Sequence, residues 1–484
     1  MNRELKRVSI LVVLMFAVLF GATSIIQVFQ VDNLRADDRN VRTLYQSYSA
    51  QRGSILVDGQ PIAESIPADD VYQYQRQYPL GDLYSSVTGY LTLNGEPTGI
   101  EGALNEKLSG ISSGQFFDQL GDIVTGQEPQ GDSVELTIDP VAQQAAYDAL
   151  GDQQGAVVAI EPSTGKILAL VSKPGFDPNP LASHDGAAVE EAYQALLNDP
   201  NQPLQNRAIG GDLNPPGSTF KVVVTAAALE SGQMNPETAF PNPVAFTLPD
   251  TSVDVTNSGG GACGGGDQAT IATALRLSCN TIFAQVGITL GEEPIRDMAE
   301  AFGFNQDLAI PIRVTPSTYP SGMDSAQVGL SAFGQYDDRA TPLQIAMVSA
   351  AIANGGTLMK PTLVEQILSP DLTVVEDFQQ EELGRPVSAN TSATMTQMMV
   401  QGVENGAASN ARIDGVSVAG KTGTAENGGD APYTLWFTGF APADNPEIAV
   451  AVVVENGGGL GQTGFGNRVA APIAKQVIEA VLNR

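Results

Sequence analysis

The chain has 484 residues, more than one hydrophobic core ordinarily serves, so two or three domains are expected. Hydrophobic residues make up 42%, as in folded proteins, and 54 Asp and Glu against 24 Lys and Arg give a formal net charge of −30. Such a surface repels polyanions, which excludes nucleic acid as a partner; its plain consequence is solubility.

The first element is membrane-directed. Arg3, Lys6 and Arg7 precede a run without charge from Val8 to Phe29. At ~1.5 Å per residue that run spans ~33 Å, against a bilayer core of ~30 Å. The small residues Gly21-Ala22-Thr23-Ser24 could suit a cleavage site, but Ile25, Ile26 and Val28 continue the apolar stretch beyond them. The pattern therefore favours an uncleaved signal anchor over a cleaved signal peptide. Positive charge stays inside. The expectation is a cytoplasmic tail at 1–7, a transmembrane anchor at 8–31, and everything from about residue 32 outside the cell.

Residues 32–140 are mixed and turn-rich, with a Tyr/Gln/Arg-rich stretch around YQSYSAQRGSILVDG. DSVELTIDP (132–140) reads as a strand followed by an N-cap, Asp139, and a first helical residue, Pro140. From 141 the texture is that of one larger domain. GAVVAIEPSTGKILALVSK predicts two apolar strands around a Ser-Thr-Gly turn. STFKVVVTAAALESG predicts a helix that stops at Gly232, and Thr341-Pro342 opens another apolar helix. YTLWFTGFAP and EIAVAVVVE read as strands, and the last residues as a helix. Strands, then many helices, then strands predict a sheet with helices on its faces.

Two cysteines, Cys263 and Cys279, both fall in the exported part, where an oxidising compartment permits a bridge. The alternative is a pair of buried thiols; the exposed-looking flanks SGGGACGGGDQ favour the disulfide. A zinc site has no support, because there is no CxxC and the chain has one histidine, His184, read as a surface residue. No Walker loop, dinucleotide fingerprint or metal-ligand cluster occurs. An exported enzyme built this way needs a base other than imidazole, and lysine is available.

Three strings supply such a site. Ser218-Thr219-Phe220-Lys221 follows Pro215-Pro216-Gly217, placing Ser218 near the first turn of a helix and Lys221 on the same face. Ser278-Cys279-Asn280 joins two helical stretches. Lys421-Thr422-Gly423-Thr424 opens a strand. Each string taken singly is structural: SxxK recurs at Ser163–Lys166, read as a hairpin turn, and SxN recurs at Ser388–Asn390. The order of the three, with SxxK starting a helix and KTG starting a strand, is what points to catalysis.

SxxK, SxN and KTG in this order resemble the penicillin-binding proteins and serine β-lactamases. NRAIGGDLNPPGSTFK, FGQYDDRATPLQIA and VAGKTGTAE look like the transpeptidase domain of class B penicillin-binding proteins, and QRGSILVDG like the start of their pedestal. The short pedestal and compact C-terminus are most similar to the actinobacterial penicillin-binding protein A group. The resemblance implies an α+β fold: an antiparallel sheet with helices on its faces plus an all-helical subdomain at 141–484, above a small mixed pedestal at 32–140.

It also implies D,D-transpeptidation, in cell wall synthesis during growth or division. Ser218 would attack the D-Ala-D-Ala amide of a peptidoglycan stem peptide, a neighbouring amine would release the acyl-enzyme, and β-lactams would acylate the same serine. No metal or organic cofactor is implied. Partners would be stem peptides, β-lactams, the inner leaflet and bilayer through the N-terminal helix, and a glycan polymerase with division or elongation proteins.

The roles follow from chemistry. Burial and Lys421 would lower the pKa of Lys221, making a neutral amine able to take the Ser218 proton. Ser278 can pass a proton to the leaving amine, and Asn280 can hold Lys221 and the substrate amide. Lys421 and Thr422 offer a charge and a hydroxyl to a terminal carboxylate. By resemblance, the N–H groups of Ser218 and Thr424, beside Gly423, would form the oxyanion hole. A D,D-carboxypeptidase or β-lactamase would discharge the acyl group onto water. A non-catalytic scaffold or antibiotic sensor would keep only the fold. The anchor and pedestal weigh against a free β-lactamase, and the intact motifs against decay.

Overall fold

The computed structural model describes residues 2–26, 50–110, 130–211 and 213–484. The expected span at 27–31, the start of the pedestal at 32–49 and its stretch 111–129 lie outside the described residues. Helix α1 (Asn2–Ser24) contains Leu5–Ser24, twenty residues with none of its apolar surface buried, long enough to cross a membrane.

Strands β1 (Ile55–Val57) and β2 (Gln60–Pro67) are joined by Asp58-Gly59, both at positive φ, the two-residue turn that suits a twisted hairpin. β3 (Tyr74–Gln77) pairs with β2, and β4 (Ser133–Leu136) runs parallel to β1. Asp139 caps α2 (Pro140–Leu150), its carboxylate accepting from the Val141 and Ala142 N–H groups at 2.9 Å each, as the sequence predicts. β5 (Gly155–Ile160) and β6 (Ile167–Lys173) form the hairpin whose turn carries the decoy Ser163–Lys166. A 3₁₀ turn, Gly217–Thr219, leads into α3 (Lys221–Glu230). The helices α4 (Ile271–Leu277) and α5 (Asn280–Leu290) break at Ser278-Cys279.

Thr341 caps α6 (Pro342–Ala353), which is apolar all round and buried nearly all round. β7 (Val364–Leu368) and β8 (Val374–Asp377) follow, then α7 (Ala389–Asn405), whose N-cap is Ser388; the second SxN is thus a helix start. β9 (Ala419–Ala425), β10 (Thr434–Ala441), β11 (Ile448–Val454) and α8 (Ala470–Leu482) complete the chain.

The larger sheet has the order β9-β10-β11-β5-β6, antiparallel throughout, with the KTG strand β9 at its edge. β11 shows why both faces are covered. Ala449, Ala451 and Val453 pack into the core that holds α3 and α6, while Ile448, Val450, Val452 and Val454 pack against α2 and α8. The second sheet has the order β8-β7-β4-β1-β2-β3. Two strands from 364–377 therefore complete a sheet begun at 55–77, so this sheet draws on both sides of position 140.

Beneath that sheet lies a buried ionic knot. Glu101 accepts from Arg52 Nε and Arg76 Nε, both at 2.6 Å, and from the Tyr78 hydroxyl at 3.2 Å. Burial acts to raise the Glu101 carboxyl, but the Arg76 and Arg52 guanidiniums outweigh it and hold the group below the usual carboxylate range. Replacing Glu101 with Gln leaves two buried guanidiniums without a counter-charge. The variant is expected to lose about 3–5 kcal/mol of stability, read by urea unfolding; an unmoved midpoint would refute the role given to this knot.

Candidate active site

Ser218 sits in a turn held from four directions. Gly217 N–H donates to the Gly334 carbonyl at 2.9 Å, Thr219 Oγ1 to the Pro216 carbonyl at 2.6 Å, and Trp436 Nε1 to the Pro215 carbonyl at 2.9 Å. Phe220, fully buried, stacks on Tyr319 with ring centroids 5.4 Å apart and meets Phe304 edge-on at 5.6 Å. Gly217 has φ +52°, and a Cβ there would lie 3.1 Å from that of Ala425 on β9. Only glycine lets the turn approach the strand this closely without strain. Ser218 itself is 9% exposed.

Lys221 opens α3 with no exposed surface. Its Nζ donates to Asn280 Oδ1 at 2.7 Å and to the Ser278 carbonyl at 2.9 Å, with the rings of Phe283 and Phe333 at 5.4 and 5.9 Å. Burial first, then the charge of Lys421, drives the Lys221 ammonium well below the ordinary lysine range. Lys421, 2% exposed, donates to Ser278 Oγ at 2.6 Å and to the Thr422 carbonyl at 2.8 Å. Burial pushes it down to about 7. A carboxylate arriving beside it would restore its charge. Among the described residues, no acidic side chain bonds to either lysine.

The junction of α4 and α5 explains how Ser278 serves both lysines. It occupies the left-handed region at φ 63°, ψ 40°, which is uncommon for a non-glycine residue and clusters at functional sites. That conformation ends α4, turns the Ser278 carbonyl to Lys221 and leaves its Oγ on Lys421. Cys279, the next residue, is bridged to Cys263, both nearly fully buried, and so ties the glycine-rich loop to the motif.

Three further hydrogen bonds tie site side chains to neighbouring backbone. Asn280 Nδ2 donates to the Thr256 carbonyl at 3.0 Å, so the amide faces the strand Asp254–Thr256 on one side and Lys221 on the other. Thr422 Oγ1 donates to the Ala407 carbonyl at 3.0 Å. Thr424 Oγ1 accepts from Gly466 N–H at 3.2 Å, and among the described residues nothing accepts its own proton. Gly423 is a close-approach glycine, because a Cβ would lie 2.9 Å from that of Trp436 and 3.0 Å from the Pro216 oxygen.

The structure thus brings Ser218, Lys221, Ser278, Asn280 and Lys421–Thr424 together from the 3₁₀ turn and α3, the α4–α5 break and the edge strand. It puts His184 elsewhere. The imidazole is tucked against the pedestal, its Nδ1 2.5 Å from Asp70 Oδ2 and its ring beside Tyr72, rather than standing free on the surface. Sequence reasoning missed Phe283 and Phe333, whose rings wall in Lys221, since neither aromatic differs from an ordinary core residue by spacing.

Residues 155–479 match the penicillin binding protein transpeptidase domain, and residues 52–134 match the penicillin binding protein A dimerisation domain. The chain is 44% identical to the peptidoglycan D,D-transpeptidase PbpA of Mycolicibacterium smegmatis, over 100% of this chain and 99% of that protein. It is 43% identical to the protein of the same name from Mycobacterium tuberculosis, with the same coverage. Among solved structures it is similar to penicillin-binding protein A of M. tuberculosis as a ceftriaxone acyl-enzyme complex, with a TM-score of 0.87, 41% identity, and coverage of 90% of this chain and 100% of that one.

Proposed function

Since this chain belongs to the penicillin-binding protein transpeptidase family, we propose that Ser218 is its acylated nucleophile and Lys221 the base that activates it. The protein is a peptidoglycan D,D-transpeptidase. The observation that carries the assignment is a wholly buried Lys221, without a counter-carboxylate among the described residues, one helical turn from Ser218.

Ser218 Oγ attacks the carbonyl carbon of the D-Ala-D-Ala amide while its proton passes to the neutral Lys221 Nζ. The developing oxyanion is met by the N–H groups of Ser218 and Thr424, the latter on the edge strand β9. Because Ser278 Oγ accepts from Lys421, its own hydroxyl proton is left for the leaving nitrogen as the C–N bond breaks, and the proton held on Lys221 passes to Ser278 to replace it. An amine from a second stem peptide then attacks the acyl carbon, the proton path reverses, and Ser218 is freed with a new amide made. Lys421, with its positive charge, and Thr424, whose hydroxyl proton nothing among the described residues accepts, would receive the terminal carboxylate of the donor stem.

A hydrolytic fate for the acyl group would put water in place of the acceptor amine on the same proton path, so the lifetime of the acyl-enzyme separates the two readings. Full-length protein labelled with fluorescent penicillin is expected to hold the label far longer than a β-lactamase would. Rapid release with turnover would overturn the transpeptidase reading. The apolar helix α1 fits a single-pass membrane anchor. Arg3, Lys6 and Arg7 on its N-terminal side support an arrangement with the catalytic domain on the extracytoplasmic face.

A further inference from the structure

Three consecutive residues that belong to none of the three motifs join two arms of the site, Phe333 and Gly334 meeting the Ser218–Lys221 segment and Gln335 the edge strand. The helix Ser325–Ser331 ends just before them. Phe333 places its ring 5.9 Å from Lys221 Nζ. Gly334 accepts the Gly217 N–H at 2.9 Å; its φ is +78°, and a Cβ there would fall 2.0 Å from the Gly217 oxygen, so no other residue fits. Gln335 comes next, half-buried, with its backbone N–H on the Leu330 carbonyl at 3.2 Å.

In the amide orientation that satisfies both of its ends, Gln335 Nε2 donates to the Glu426 carbonyl and Oε1 accepts from the Glu426 N–H, each at 3.2 Å. Glu426 lies one residue beyond β9, whose last ladder pair is Ala425 with Thr434. β9 has a neighbour on one side only. Past that last pair, the Gln335 side chain takes the place of a neighbouring peptide group for the strand end.

We propose that Gln335 is a positioning residue for the oxyanion hole: by gripping the Glu426 peptide while Gly334 grips Gly217, it fixes the spacing between the Thr424 N–H and the Ser218 N–H. The proposal rests on the oxyanion assignment made above. Thr424 is two residues before Glu426, and Ser218 one after Gly217. Adjacent residues of one loop therefore hold both donors at one remove. Preorganised donors act only if they already stand where the oxyanion will form. A loosened strand end would leave ground-state binding intact and slow the chemical step.

The test is pre-steady-state acylation of the full-length protein by penicillin, with binding and chemistry separated. Gln335→Ala is expected to lower the acylation rate constant roughly 10- to 100-fold, with the non-covalent dissociation constant within about 3-fold of the parent. An arylboronic acid, whose adduct with Ser218 places a hydroxyl in the same hole, should weaken by the same factor as the rate constant. Gln335→Glu keeps the reach and the acceptor but loses the donor, and should fall between the two. Parental acylation in Gln335→Ala would overturn the proposal, as would slow acylation with undiminished boronate affinity. Should Gln335→Ala fail to fold, the boronate and rate measurements on Gln335→Glu decide. If peptide mapping of the parent finds the penicillin adduct away from Ser218, the functional reading itself fails. If the adduct is at Ser218 and the Gln335 variants acylate normally, only this inference fails.

Discussion

Ser218→Ala is expected to abolish the covalent penicillin adduct, a loss on the order of 10⁶-fold in acylation by comparison with nucleophile removal in other serine enzymes. The change removes one oxygen from a residue that is 9% exposed and leaves the turn's anchors in place. Stability should therefore stay within about 0.5 kcal/mol of the parent. Intact mass after incubation with penicillin reads the adduct, and thermal melting confirms the fold. A Ser218→Ala protein that still gains the mass of one β-lactam would end the assignment.

The second large effect is on the base. Lys221→Met keeps an unbranched side chain of similar volume in a site with no exposed surface, and removes the amine. Acylation should fall by roughly 10²- to 10⁴-fold, the range typical of a lost general base. Stability is expected to hold or fall only slightly. The Ser278 carbonyl and Asn280 Oδ1 each lose a donor, while the cost of burying an amine disappears. Lys221→Arg should acylate as poorly, because a guanidinium remains charged and cannot accept the serine proton. Rapid-quench acylation decides between these expectations and a merely structural lysine, for which Arg would restore the rate.

The parts of the site that sequence reveals are those encoded locally. SxxK after Pro-Pro-Gly, SxN at a helix break and KTG opening a strand each carry their own stop and start signals. The pKa logic of Lys221 followed from burial plus a second lysine. What stayed hidden depends on long-range pairing. Glu101 meets Arg52 and Arg76, 49 and 25 residues away, and nothing near any of the three marks the others as partners. Strands β7 and β8 read as part of the larger domain because residues 364–377 follow its long helix, yet β7 is in register with β4 and β8 with β7. Asn280 and Thr422 were given substrate roles from their chemistry, whereas backbone carbonyls at Thr256 and Ala407 take one of the two Asn280 amide protons and the Thr422 hydroxyl proton. A hydroxyl or amide advertises what it can bond, and only the fold decides what is within reach.

The shared sheet carries a mechanical consequence. β7 hydrogen-bonds directly to β4, while the chain entering β7 comes from α6, the helix at the centre of the catalytic core. The pedestal sheet and the core are therefore sewn together by three separate chain crossings, at residues 136–140, 353–364 and 377–389. A pull or twist applied to the pedestal would travel along all three at once, so the two modules should swing as a single rigid arm rather than hinge at one joint.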